Sequence, residues 1–244
     1  MVVDRPHQPL YESLSLCHNS FQYFGRNYTL MPPSPPVKPK RRYDATLRQE
    51  QARRTRAGVV DAAERLFLRA GYAATTVATV AAEAGVSVDT IYKSFGGKPG
   101  LIRAIRDRAL EGEGPVPAEL RSDALHEQTS DTRAIIEAWG RLVTEVAPRV
   151  APILLLVRDA AGGHTEIRAL QAELDADRWR RMTANARRLR RTGRLRRGIT
   201  IEQTADVLWT YSSPELYELL VLRRGWTARR YGRFVAEAMT AALL

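Results

Sequence analysis

The segment Thr75–Lys98, TTVATVAAEAGVSVDTIYKSFGGK, constrains the fold more than any other part of the chain. Val77, Val80, Ala81 and Ala84 fall at i, i+3, i+4 and i+7, which gives a first helix one apolar face. Thr76 precedes it and can cap it, its hydroxyl accepting from an orphan backbone N–H. Gly85 stands where the chain must turn sharply, and glycine tolerates a left-handed backbone there. Ser87 offers a second cap, and Val88 to Lys93 read as a helix of under two turns. A helix that short is marginal alone. It persists only when docked on its neighbours, which leaves its outer face free to enter a DNA major groove. The segment therefore reads as a helix-turn-helix.

Charge points the same way. The chain of 244 residues carries a formal net charge of +11, which favours a polyanionic partner. Residues 38–111 hold 15 Lys/Arg against 8 Asp/Glu, while residues 112–244 hold 21 against 17, so the excess is densest beside the candidate reader. With 44% hydrophobic residues the chain can bury a substantial core. Cys17 is its only cysteine, which excludes an intrachain disulfide or a cysteine-rich zinc site and fits a reducing cytosol. The longest apolar run, Ile153–Val157, is far below the roughly 18–20 residues of a membrane span. No secretory h-region is visible at the N-terminus. A cytoplasmic protein with no membrane partner is expected.

Residues 1–46 form a proline-rich, basic extension without period, expected to be extended and mobile. Met31 reads as an alternative start, with residues 1–30 dispensable. A helical pattern runs from about Leu47 to Ala70, with Val59, Ala63, Leu66, Phe67 and Ala70 on one face and Gly71 ending it. After the helix-turn-helix, Pro99 suits the first turn of a further helix burying Leu101, Ile102, Ile105 and Ala109. Residues 112–117, GEGPVP, break the chain. The rest contains no convincing strand. Helices are expected at Ile135–Ala147, stopped by Pro148; at Ile153–Ala160; and at Glu166–Thr192. Thr200 and Gln203 form a candidate capping box for the next helix. Pro214 kinks or restarts that helix, and Thr227 caps a last one ending near Leu243. The fold class is all-α, of about nine or ten helices.

Residues 56–110 resemble the N-terminal domain of TetR-type (tetracycline-repressor-like) bacterial transcriptional regulators. The matching elements are an AxxLFxxxGY-like helix end, TTVxxVAxxAGVS, TIYxxF and a lysine opening the next helix, in order and at family spacing. The resemblance covers about a quarter of the chain. It implies a three-helix helix-turn-helix domain, here residues 47–111, followed by a helical effector-binding and dimerisation domain, residues 112–244. It also implies a dimer on a palindromic double-stranded operator, usually a repressor, released when a small-molecule effector fills the second domain. No cofactor and no catalysis are implied.

Roles follow residue by residue. Val88, Asp89, Thr90 and Lys93 occupy the outer face of the second helix and are candidates for base readout: an apolar group against a thymine methyl, Lys93 against guanine O6 or N7. Asp89 either accepts from cytosine N4 or simply favours the helix N-terminus. Ser87 is first a cap, and Thr76 is a cap whose helix end can also face phosphate. Tyr92 either packs its ring between helices or sets its hydroxyl on a phosphate, as the family's tyrosine does. A cation at a helix start, such as Lys98, is disfavoured by the dipole; a phosphate reverses that sign, and the family uses this lysine so. The run Lys38, Lys40, Arg41, Arg42, Arg48, Arg53, Arg54, Arg56 is a candidate phosphate or minor-groove arm. The equally dense Arg187–Arg197 cluster reads as a solvated helix end. Trp139, Leu155, Trp179, Met182, Trp209 and Tyr211 are candidate pocket residues. The surplus apolar faces of Ile201–Leu222 and Ala228–Leu243 point to a four-helix dimer interface through Leu216, Leu219, Leu220, Phe234, Val235 and Met239. His126 and His164 are isolated, so no metal is expected. The Gly96-Gly97-Lys98 stretch lacks the rest of a P-loop. No nucleophile–base pair or carboxylate constellation supports an enzyme.

Overall fold

The structure is a computed structural model that describes residues 42–112 and 116–244, of which residues 42–45 as backbone only. Expectations placed on residues 1–41, including Cys17, Met31, Lys38, Lys40 and Arg41, lie outside the described residues.

The described chain is helical throughout, with no strand. In order, the helices are α1 (Arg42–Ala74), α2 (Val77–Ala84), α3 (Val88–Phe95), α4 (Lys98–Glu111), α5 (Ala118–Gln128), α6 (Thr132–Ala161), α7 (Thr165–Arg191), α8 (Ile201–Tyr211), α9 (Pro214–Tyr217), a π-helical segment (Glu218–Arg223) and α10 (Ala228–Leu243). Most of the caps read from sequence are present. Ser87 Oγ accepts from the Thr90 N–H, and Thr200 and Gln203 exchange the two bonds of a capping box. Thr76 does the same with Thr79, a hydroxyl in the place usually held by Glu or Gln. Gly85 ends α2 in the left-handed region at φ 66°.

Three elements differ from expectation. The regular helix does break at Gly71, whose φ of 82° and ψ of 170° are non-helical, but an unexpected further helical turn follows to Ala74. Thr75 locks the bend: its buried hydroxyl donates to the carbonyls of Leu66 and Gly71, at 3.2 and 2.8 Å. Ala70, expected inward, is exposed. Pro148 does not stop a helix, because α6 runs unbroken through both Pro148 and Pro152. An interior proline costs about 3 kcal/mol. Burial along α6 offsets it, since Ile135, Ile136 and Trp139 pack at one end and Ile153 and Val157 at the other. Finally, α5 has no counterpart in the sequence reading. Its buried positions are only Ala118 and Ser122, too small to form an apolar stripe, while Leu120 faces solvent.

Two apolar cores result. The first joins Val59, Phe67, Val80, Ile91, Leu101, Ile102 and Ile105 of α1–α4 to Ile153 and Val157 of α6 and Ile167 and Leu170 of α7. The second joins Ile135, Trp139 and Ala151 of α6 to Ala186 and Leu189 of α7, Leu208 of α8, Tyr217 of α9 and Tyr231, Val235 and Met239 of α10. Where α6 crosses α10, the backbones nearly touch. A Cβ on Gly140 would stand 2.7 Å from the Gly232 carbonyl oxygen, and one on Gly232 2.4 Å from the Gly140 carbonyl oxygen. Helices α6 and α7 thus belong to both cores.

Candidate nucleic-acid interface and ligand cavity

Helix α3 is presented by everything beneath it. Ile91 is fully buried, and its opposite face carries Val88, Asp89, Tyr92 and Lys93, all exposed. The helix extends to Phe95, longer than the sequence indicated, because Gly96 at φ 74° supplies a C-cap. Tyr92 is 55% exposed, so its ring does not fill a gap between helices. Thr90 is half-buried, its hydroxyl 2.8 Å from that of Ser87. Asp89 and Lys93 form an exposed i,i+4 pair at 2.7 Å. Such a pair is worth about 0.2–0.5 kcal/mol, so it holds Lys93 loosely and presents no barrier to a base contact.

In the DNA-free chain Lys98 has partners of its own at the start of α4. Its Nζ donates to the Tyr72 carbonyl at 2.6 Å and lies 3.8 Å from the centre of the Tyr72 ring. The cation therefore satisfies an orphan carbonyl at the end of α1 and braces α4 against it. Burial lowers the Lys98 pKa, partly opposed by Glu166, and burial likewise pushes the Tyr72 hydroxyl up to about 12. Within the basic arm, Arg56 is also engaged: it donates to the Ser94 carbonyl at 3.1 Å and lies over the Phe95 ring. Arg48, Arg53 and Arg54 remain exposed along α1.

Helix α4 leads away from this surface. Arg108 pairs with Asp61 and Glu64 on α1, Arg103 with Glu173 on α7 at 2.6 Å, and Arg106 with Asp177 on α7 at 3.3 Å. Arg106 and Leu110 also reach a cavity of about 250 Å³ enclosed by α4–α10. That size lies near the lower end of small-molecule sites, about 300–1,000 Å³. Trp139, Met182 and Tyr211 line it as expected, beside Val143, Val146, Ala147, Val150 and Tyr231. Three expected residues do not. Leu155 is buried on another face of α6, and Trp179 and Trp209 stack edge-on against each other beside the cavity, with Arg178 covering Trp209. Helical spacing placed these side chains inside the bundle but not on the face left empty by the crossing angles. Much of the lining was missed by sequence reasoning, including Val143, Val146, Val150 and Asn185; Asn185 is buried, and its Oδ1 has no partner among the described residues.

The interface expectation is corrected in part. Val235 and Met239 are buried in the chain's own second core, and Met239 lines the cavity, because the α10 stripe faces α6 across the glycine crossing. Leu216, Leu220 and Phe234 are half-buried, whereas Leu219 and Leu222 are exposed at 50% and 55%.

Residues 59–105, the helix-turn-helix and its flanking helices, match the model of the family described as bacterial regulatory proteins, tetR family. Over this span the chain is a tetR-family DNA-binding domain. A named probable HTH-type transcriptional regulator, ArpR of Pseudomonas putida, is 28% identical over 165 residues, covering 67% of this chain and 79% of its own. The structure titled SmeT–triclosan complex aligns with a TM-score of 0.58 at 25% identity, over 78% of this chain and 91% of that one. NalD, the secondary repressor of the MexAB-OprM multidrug efflux pump in Pseudomonas aeruginosa, shares the fold with a TM-score of 0.61 at 20% identity, over 79% and 98% of the two chains. The chain is a DNA-binding transcriptional regulator. Among the described residues, no helix is long and apolar enough to cross a membrane.

Proposed function

We propose that this tetR-family chain is a cytoplasmic repressor that binds a palindromic operator as a homodimer and leaves it when a small, uncharged, largely apolar molecule fills the α4–α10 cavity. Base readout falls to Val88, Asp89, Thr90 and Lys93. Phosphate contact falls to Tyr92, the Ser87 and Thr76 helix ends and the exposed Arg53 and Arg54, with Lys98 acting as a brace. The observation that carries the reading is the double membership of α4. Leu101, Ile102 and Ile105 lie in the reader's core, while Arg106 and Leu110 touch the cavity.

The lining sets the ligand class. Its three arginines, Arg106, Arg178 and Arg181, are matched by Glu119, Asp175 and Asp177. No net charge is left for an ionic ligand to neutralise. The triclosan named in the SmeT structure's title is a precedent for a small ligand in this fold. Leu219 and Leu222, exposed beside half-buried Leu216, Leu220 and Phe234, supply the apolar surface for the second subunit.

The test selects a duplex from a random pool, then titrates the complex with uncharged aromatic and aliphatic compounds that raise the melting temperature of the free protein. Stabilising compounds should release wild-type protein, while a Val150→Trp variant should stay bound. Compounds that stabilise the protein strongly without weakening its DNA complex would refute the effector reading.

A further inference from the structure

We infer that the end of the molecule remote from α3 carries a second polyanion site, which grips the phosphate backbone of another DNA segment. The observation is a difference among arginines of one helix. Arg178, Arg180, Arg181 and Arg188 of α7 all have carboxylate partners: Asp175, Asp177 and Asp123. Beside and beyond Arg188 stand Arg187, Arg190, Arg191, Arg194, Arg196 and Arg197, all exposed. Arg190 donates to the Ile199 carbonyl at 2.9 Å. The other five side chains have no hydrogen bond or ion pair among the described residues.

The helix dipole accounts for only part of this. It favours cations in a last turn by about 0.3–1 kcal/mol, which covers Arg188, Arg190 and Arg191 but not Arg187. Arg194, Arg196 and Arg197 lie past the end of α7, in the loop before α8. There they gain nothing from the dipole and repel one another.

Neighbouring elements add to the patch rather than neutralise it. The Thr132 and Thr192 hydroxyls are 2.5 Å apart, which brings exposed Arg133 to the same end, and the Arg196 N–H donates to the Leu243 carbonyl. The nearby acids are Asp131, whose carboxylate caps α6, and the exposed Glu202 at the start of α8.

The composition selects the partner. Guanidinium groups match phosphates in two-pronged geometry. A protein interface needs an apolar centre, and here the sole large apolar side chains more than a third exposed are Ile201 at 38% and Leu244 at 37%. Placement selects a second duplex. The start of α7 packs against the reader, with His164 against Tyr72 and Ile167 in the core of Ile91. A helix of 27 residues then carries the patch about 40 Å away. A duplex bound there stands clear of the operator, so one molecule can hold two DNA segments.

The test anchors a random-sequence 40-base-pair duplex, loads full-length protein and measures capture of a second, fluorescent duplex at low salt. Wild type should capture it. A variant with Arg187→Gln, Arg191→Gln, Arg194→Gln and Arg197→Gln should load equally, melt at the same temperature and lose the capture. A second pair of proteins, both carrying Tyr92→Ala and Lys93→Ala, isolates the patch from the reader. In that pair the four glutamines should lower the salt slope of residual DNA binding by about 3. Equal capture by the four-glutamine variant, no capture by wild type, an unchanged slope, or preference for polyglutamate or anionic vesicles over DNA would each overturn the site.

Discussion

The two cores of this regulator are built to different standards of completeness. In the reader's core, Phe67, Val80, Ile91, Leu101, Ile102 and Ile105 are at most 0% exposed, and Thr75, its buried polar residue, has both of its bonds. Among the described residues, α1, α2 and α3 contain no buried polar side-chain atom without a partner. The distal half holds such atoms at His126 Nε2, Thr183 Oγ1, Asn185 Oδ1 and Trp209 Nε1, and Asn185 faces a cavity of about 250 Å³. One half is finished by folding, and the other is left for something else to complete. A reader needs fixed geometry to tell bases apart, whereas a sensor needs a state that a ligand can improve.

The contrast breaks most directly at Phe67. Phe67→Ala removes a fully buried ring from a core without slack, and should cost about 3–5 kcal/mol, measured by denaturant unfolding. A loss under 1 kcal/mol would show that the reader's core is no tighter than the distal one. Asn185→Leu probes the opposite side. It removes a buried acceptor that folding leaves unmet, a penalty of about 1–3 kcal/mol. The free protein should become more stable by about 1 kcal/mol, while any stabilising compound binds less well. A destabilised variant would mean that the amide is already satisfied.

The smallest effect is a pH dependence. His126 lies edge-on to Trp139 at 5.5 Å, and burial lowers its pKa below the usual 6.5, with Arg188 adding to the shift. The unfolded chain then binds the extra proton first as pH falls, so this residue withdraws stability progressively below pH 6.5. Asp123 beside it works in the same pH direction. Burial alone would raise its carboxyl, but hydrogen bonds from Arg181 and Arg188 outweigh that and hold it low. Their stabilisation is present above the usual carboxylate pKa and lost as pH falls through the depressed one. Melting temperatures of wild type and His126→Gln should therefore separate between pH 7.5 and 5.5, with wild type the steeper.

How much of this was legible in the sequence follows the range of the interactions. The reader's elements are set by partners three or four residues apart: Thr76 with Thr79, Ser87 with Thr90, the apolar spacing around Val80. Those signals survive in one dimension. The bond from Lys98 to the Tyr72 carbonyl is not legible in the same way, because its acceptor is 26 residues away and becomes available only after Gly71 bends the chain. The cavity was half legible for a related reason. Periodicity shows which side chains enter the bundle, and Trp139 and Met182 do line the void. Which inward faces meet and which leave space depends on crossings such as that of Gly140 and Gly232, so spacing alone does not separate Trp179 and Trp209, which miss the void, from Asn185, which lines it. The π-helical turn that exposes Leu219 and Leu222 has no local sequence signature either.

The prolines of α6 give the molecule a seam. Pro148 and Pro152 have no N–H, so two successive rungs of the helix ladder are absent at the level where Val150 and Ala151 border the cavity, between the part of α6 that serves the distal core and the part that serves the reader. Local opening is cheapest where few bonds must break. Amide hydrogen exchange should accordingly be fastest within α6 around residues 146–154, with slower protection on both sides. A bound molecule pressed against that stretch would slow its exchange before altering any other part of the chain.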